Sequence, residues 1–164
     1  MSLLDGIRPR LYVRIAANHV SIRKVGHSEE RSVVPELAIQ VERGRTRVVA
    51  VGDQARGAAC RDGALRIVNP FSHPRTLVGD YRLGEHLLKA LLGRFLGRSL
   101  FAVAPLVVMH PLGAPAGGFT QVELRALREM ALGAGAARAI VHVGADLSDD
   151  DLTGPGLLHQ PAEP

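Results

Sequence analysis

Residues 106–143, LVVMHPLGAPAGGFTQVELRALREMALGAGAARAIVHV, decide the fold. Leu106 to Met109 form a short Val-rich run bounded by Pro105 and Pro111, the pattern of a buried strand. A glycine-rich connection, Gly113 to Gly118, follows it. Thr120 and Glu123 then make a T-x-x-E capping box that opens a helix reaching about Gly133. Ala139 to Val143 is the next strand. A strand, a helix and a second strand in such close succession call for parallel strands joined by a crossover helix. Upstream, Leu83, Leu87, Leu88, Leu91, Leu92, Phe95 and Leu96 fall on one stripe at helical spacing. Asp80 is placed as the N-cap of that helix, and Arg94 and Arg98 suit the negative pole of its dipole. The second half therefore reads helix, strand, helix, strand.

The first half has a different rhythm. Leu11, Val13 and Ile15 alternate with polar residues on one strand, and Val20 and Ile22 open another. Ala16 to His19 supply the small-residue turn between them, so the segment is a β-hairpin. A third strand runs through Ser32 to Val34 until Pro35 interrupts it. Leu37 to Val41 and Arg47 to Val51 give two more strands around a turn at Arg43-Gly44. Gln54 to Cys60 has room for a helical turn or two, and Asn69 to Gly79 is loop. The sum is an α/β fold with a mixed sheet, antiparallel first and parallel after. Residues 1–10 form an N-terminal tail, 11–145 the folded lobe with 36–78 as a small inserted subdomain, and 146–164 an acidic, Pro-rich tail. That last tail reads as a frayed terminus or the stub of a helix.

Composition narrows the class. A chain of 164 residues with 46% hydrophobic and 22% charged residues is a globular domain rather than a disordered one. No apolar run approaches the roughly 20 residues that a membrane crossing needs. The start has no apolar stretch suited to a secretory signal, so a cytoplasmic protein is expected. Cys60 stands alone, which excludes an intrachain disulfide and a cysteine-based zinc site. The net charge of +4 raises the question of nucleic acid. The arginines are scattered, however, with only Arg43, Arg45 and Arg47 close together. Aromatics make up 4% of the chain and there is no Trp, so stacking platforms are scarce. Nucleic acid is not the expected partner.

Antiparallel strands followed by helix, strand, helix, strand are also the layout of half an actin-like (ribonuclease H-like) ATPase. Ser32-Val33-Val34 resembles the "PSVVA" of MreB, the bacterial actin family that determines rod shape. VVAVGDQA at 48–55 resembles its "VLAVGEEA", and Leu77 to Tyr81 its "GVIADF/Y". GRSLF at 97–101 sits where family members carry similar residues, and QVELRALREMALGAGA at 121–136 resembles "EVERRAVREAALQAGA". The matches keep their order over residues 11–143.

The resemblance implies a phosphate loop D-x-G-T between the first two strands, whose Asp acts through water on nucleotide-bound magnesium. The matching segment here is Arg14-Ile15-Ala16-Ala17-Asn18. The acid becomes Arg14, and no Gly allows close backbone approach, since Ala16, Ala17 and Asn18 all carry a Cβ. With the register moved by one residue, Ala16-Ala17-Asn18 matches the family's T-A-N, and the carboxylate is still missing. The family's water-orienting Glu lies in "IEEP" and maps to Gly144; Asp146, two residues on, is a weak substitute. The second phosphate loop, "DIGGGT", and the adenosine-binding half would follow, and the sequence stops at Pro164 before them. Arg14 either contacts a phosphate directly or, the favoured reading, faces solvent or a nearby carboxylate.

Other candidates are weaker. GAPAGG at 113–118 lacks the Lys-Ser/Thr of a P-loop and the spacing of a dinucleotide loop, and reads as a connection. Asp146, Asp149, Asp150 and Asp151 lack the Gly and bidentate Glu of a calcium loop. His110 and His142 sit on neighbouring strand ends, where the two could meet; a pair alone is a poor metal site, and two partly buried strand-end histidines is the favoured reading. Ser99 and Ser148 have no His–Asp company, so a hydrolase triad has no support. Leu3, Leu4 and Ile7 suit weak membrane-surface contact through residues 1–10.

The expectation is thus an MreB-like, non-catalytic interaction or scaffold protein with no metal and no cofactor, linked to the cell-shape cytoskeleton. Its partner would be a protein, either a second copy or a filament-forming actin homologue. The alternative is an ATP/Mg-binding actin-like protein whose second lobe comes from another chain or a further C-terminal portion.

Overall fold

The computed structural model describes residues 8–96, 103–113 and 117–158. In chain order the elements are β1 (Arg10–Ile15), β2 (Val20–Lys24), β3 (Glu30–Val33), β4 (Leu37–Glu42), β5 (Arg45–Val51), α1 (Asp53–Arg61), β6 (Arg66–Val68), α2 (Tyr81–Leu96), β7 (Leu106–Pro111), α3 (Gln121–Gly133), β8 (Arg138–Val141), α4 (Asp149–Thr153) and α5 (Pro155–Leu158).

Five strands form the main sheet in the order β3-β2-β1-β7-β8. The β1–β2 and β2–β3 pairs are antiparallel, whereas β1–β7 and β7–β8 are parallel. The mixed sheet expected from the sequence is therefore present, and with it the half-actin architecture. β7 is an interior strand, between β1 and β8, with every residue buried, which explains its unbroken apolar run. A smaller antiparallel sheet, β5-β4-β6, carries α1 on Ala38, Ala55 and Ala58. Its β4–β5 turn uses Arg43 and Gly44, both at positive φ (49° and 75°), the conformation that a two-residue hairpin requires.

α2 and α3 cover the face formed by Leu11, Val13, Ile15, Val107 and Met109. Asp80 Oδ1 accepts from the Leu83 amide at 3.0 Å, so it caps α2 as expected. Thr120 and Glu123 complete the capping box of α3. The two helices pack closely at Gly84, where an added Cβ would stand 2.8 Å from Met130 Sδ. β6 was not foreseen within 53–79: it has three residues, two of them exposed, and shows no periodicity. Of the two readings of 146–164, a frayed terminus or the stub of a helix, the described part shows helix, α4 and α5. Ser148 caps α4 through a reciprocal pair with Asp151, and Leu152 and Leu157 are buried. Residues 1–7, including Leu3, Leu4 and Ile7, lie outside the described residues, as do Arg98, Ser99 and the rest of GRSLF at 97–101.

Candidate functional site

The second face of the main sheet differs in kind from the first. Strand alternation turns Tyr12 and Arg14 away from the α2–α3 core. The parallel register sets Arg14 beside His110, and the antiparallel register sets it beside Ser21. Arg14 Nη2 donates to Glu30 Oε1 at 2.5 Å, Nη1 reaches Asp146 Oδ2 at 3.3 Å, and Nε donates to Ser21 Oγ at 3.2 Å. The bond to Glu30 raises the guanidinium pKa, while Ser21 and then Arg14 hold Glu30 below the usual carboxylate range.

Next to Arg14 is a directional hydrogen-bond relay. The Leu147 amide donates to Tyr12 Oη at 3.2 Å, and Tyr12 Oη lies 2.5 Å from His110 Nδ1. His110 Nε2 lies 3.1 Å from the Gly144 carbonyl, which can only accept. The tautomer follows: Nε2 carries the proton, and Nδ1 accepts from the Tyr12 hydroxyl. His110 is 1% exposed, and burial, with His142 and Arg14 adding to it, lowers its pKa. His142 meets it edge-on with ring centroids 5.0 Å apart, the meeting anticipated from the strand ends. Its Nε2 bonds the Ala145 carbonyl at 2.8 Å.

The β1–β2 turn closes with the Ala16 amide on the His19 carbonyl at 2.9 Å. The Ala17 carbonyl accepts from Asn69 Nδ2 at 2.7 Å, which ties this turn to the loop before α2. Ala17 and Asn18 are exposed. Gly144 has φ +136°, a backbone conformation side chains rarely adopt, although a Cβ there would meet only the His142 ring at 3.8 Å. The 144–146 bend therefore needs its glycine for conformation, not for space. Asp146 is 64% exposed, with Oδ1 3.6 Å from His110 Nδ1.

Beyond the bend, Arg23 pairs with Asp149 and donates to the Leu147 carbonyl at 3.0 Å. The Gly26 amide bonds Asp149 Oδ2 at 2.8 Å, and Arg10 bonds the Leu152 carbonyl at 2.7 Å. Leu152 and Leu157 close over Tyr12, Leu106 and Val108. Among the described residues, no group of three or more His, Cys, Asp or Glu side chains is arranged to hold a metal ion, and no helix is long and apolar enough to cross a membrane. Of the loop at 113–118, Gly113, Gly117 and Gly118 are described and have positive φ, while 114–116 lie outside the described residues.

Residues 24–146 match the family model of the MreB/Mbl proteins. The chain belongs to the MreB/Mbl family. Solved structures agree on the fold. MreB5 of Spiroplasma citri bound to ADP superimposes with a TM-score of 0.63 at 20% identity, covering 83% of this chain and 38% of that one. A non-polymerising A278D mutant of MamK bound to AMPPNP gives 0.63 at 17% identity, covering 83% and 41%. The MamK double helical filament gives 0.58 at 18% identity, covering 82% and 41%. The chain thus spans about two fifths of the length of these proteins. No curated protein matches the sequence.

Within this MreB/Mbl lobe, the positions singled out by resemblance fall at one end of the sheet. Arg14 and Asp146 touch, and Gly144 is bonded to the neighbouring His110. Ala16, Ala17 and Asn18 form the adjacent turn. Sequence reasoning missed Tyr12, Arg23, Glu30 and Asp149 as members of the cluster. The available signal was the polar side chain at every second position, Tyr12 and Arg14 on β1 and Ser21 and Arg23 on β2, facing away from the apolar stripe.

Proposed function

We propose that this chain is a non-catalytic interaction module of the MreB-like cytoskeleton, a first lobe that has given up nucleotide chemistry. One observation carries the reading. Where the family resemblance places the carboxylate that acts on nucleotide-bound magnesium, Arg14 stands engaged with Glu30, Asp146 and Ser21. A cation at this point opposes a divalent metal, and the two nearby carboxylates are already committed to it. The neighbouring features are consistent with this. The turn at Ala16-Ala17-Asn18 presents Cβ atoms where phosphate needs bare backbone. Gly144 has no side chain with which to orient water, and its carbonyl is occupied by His110. The donor set does not fit magnesium–ATP.

The work left to such a lobe is surface complementarity with another protein in the cytoplasm, either a second copy or a filament-forming actin homologue. The filament structure of MamK, whose fold this chain shares in part, supports an assembly role. Sedimentation of the chain alone and with an MreB filament tests this: it is expected to self-associate or to pellet with filaments, and a monomer indifferent to filaments would overturn it. The chemical half of the reading is tested by thermal unfolding with millimolar Mg-ATP, where no shift is expected. Binding at a Kd tenfold or more below the ligand concentration would stabilise the fold by more than about 1.4 kcal/mol and raise Tm by several degrees. Such a shift would favour the ATP-binding alternative, with the second lobe supplied from elsewhere.

A further inference from the structure

The segment after β8 is held to the sheet at nearly every residue from 144 to 149, and the centre of that attachment is a buried histidine. His110 bonds the Gly144 carbonyl, His142 the Ala145 carbonyl, and Arg14 the Asp146 carboxylate. Tyr12 takes the Leu147 amide, and Arg23 takes the Leu147 carbonyl and Asp149. Downstream, Leu152 and Leu157 lie on the apolar strip of Tyr12, Leu106 and Val108. Lifting this segment would expose that strip, whose three side chains are at most 1% exposed.

We propose that residues 144–157 form a strap latched by the neutral His110 ring, and that protonating this ring frees the strap and uncovers the strip formed by Tyr12, Leu106 and Val108. The relay runs one way only: Leu147 N–H to Tyr12 oxygen, Tyr12 O–H to His110 Nδ1, His110 Nε2–H to the Gly144 carbonyl. A proton added at Nδ1 points at the hydroxyl hydrogen of Tyr12. That hydroxyl must then turn away and seek another acceptor, while its oxygen is asked to accept from both Leu147 and His110. Every element packed around the ring bears on the outcome. From β1, Arg14 opposes the new charge; from β2, Arg23 lies over the Tyr12 ring; from β8, His142 adds further repulsion. Glu30 of β3 is engaged with Arg14. Two groups favour the proton: the Gly144 carbonyl, which keeps its bond from Nε2–H, and Asp146, from an exposed position 3.6 Å away and already shared with Arg14. Burial of the charged ring outweighs both. Opening the strap relieves the charged ring, so the two equilibria are linked.

The test follows one sample of the full chain from pH 8 to pH 5. The His110 ring is titrated by NMR, and exchange of the Leu147 and Leu152 amides is measured after correction for intrinsic rates. Strap protection is expected to fall through the same midpoint as the ring, roughly tenfold for each unit by which closure lowers the ring's pKa. Core amides of Val13 and Val107 should keep their protection over that range. The His110→Gln variant should lose the step and His142→Gln should keep it. The proposal is overturned if strap amides stay protected while His110 titrates, if the ring stays neutral until the core amides are lost too, or if the step survives in His110→Gln. The titration of the unaltered chain decides the matter even where a variant fails to fold.

Discussion

The two faces of the five-stranded sheet are built from alternate residues of the same strands, yet they are assembled by different physics. Under α2 and α3, Leu11, Val13, Ile15, Ile22, Val107 and Met109 are all at most 2% exposed and join one apolar cluster. On the opposite face Tyr12, Arg14, Ser21, Arg23 and His110 form a hydrogen-bonded network, with only Tyr12, Leu106 and Val108 under an apolar cover. The first face is non-directional and tolerates any side chain of the right volume. The second depends on which atom donates to which, so it stores specificity in a few bonds. The difference implies that stability lies mainly with the helix-covered face and conformational control with the other.

Leu87→Ala probes the first face at a fully buried position of α2. It is expected to cost about 2–5 kcal/mol, measured by denaturant unfolding, because the cavity cannot collapse between helix and sheet. Tyr12→Phe probes the second face with almost no change of volume. It strips the Leu147 amide and His110 Nδ1 of a shared partner and is expected to cost about 1–3 kcal/mol. A Tyr12→Phe loss as large as that of Leu87→Ala would break the division of labour between the faces.

On the helix-covered side, ionic groups work at element ends rather than within the sheet, and Glu123 is the clearest case. Its carboxylate accepts from Thr76 Oγ1 at 2.6 Å, the Leu77 amide at 3.2 Å and the Thr120 amide at 2.9 Å. These bonds, Thr76 first, hold its pKa at about 2. A folded pKa below the unfolded one means that this stability is present above about pH 4.5 and is lost as pH falls towards 2. Glu123→Gln should therefore lower stability at pH 7 by about 1–2 kcal/mol, the shift being discounted for solvent exposure. It should also flatten the acid limb of the stability profile between those two values, as followed by thermal unfolding.

The apolar face was legible in the sequence almost residue by residue, because its information is periodic. The α2 stripe, the Asp80 cap and the Thr120–Glu123 box are each contained within a few consecutive turns. Apart from the His110–His142 meeting at neighbouring strand ends, the polar face was legible only at the positions a family resemblance marked, Arg14, Gly144 and the turn at 16–18. What those residues touch was not, since Tyr12 and His110 are 98 residues apart and Arg14 and Asp146 are 132 apart. The strap was obscured for a related reason. Four Asp residues dominate the composition around two leucines five positions apart, Leu152 and Leu157, although both are buried. Short elements without a full period, such as β6, leave no pattern to detect.

The smallest expected effect is the one closest to the proposed loss of chemistry. Arg14 is 26% exposed and its partners Glu30 and Asp146 are 35% and 64% exposed, so water screens each pair. Arg14→Gln should cost only about 0.2–1 kcal/mol, and less in high salt. Gln retains donors for part of the network but removes the charge that Glu30 and Asp146 share. If Arg14 only staples β1 to β3 and the 144–146 bend, that modest, salt-sensitive loss in urea unfolding is the whole effect. If it were instead held ready for a phosphate, the variant would unfold much like the parent without nucleotide, and only the parent would gain stability from added ATP. Running both proteins with and without ATP thus separates a cation retained for the fold from one retained for a ligand.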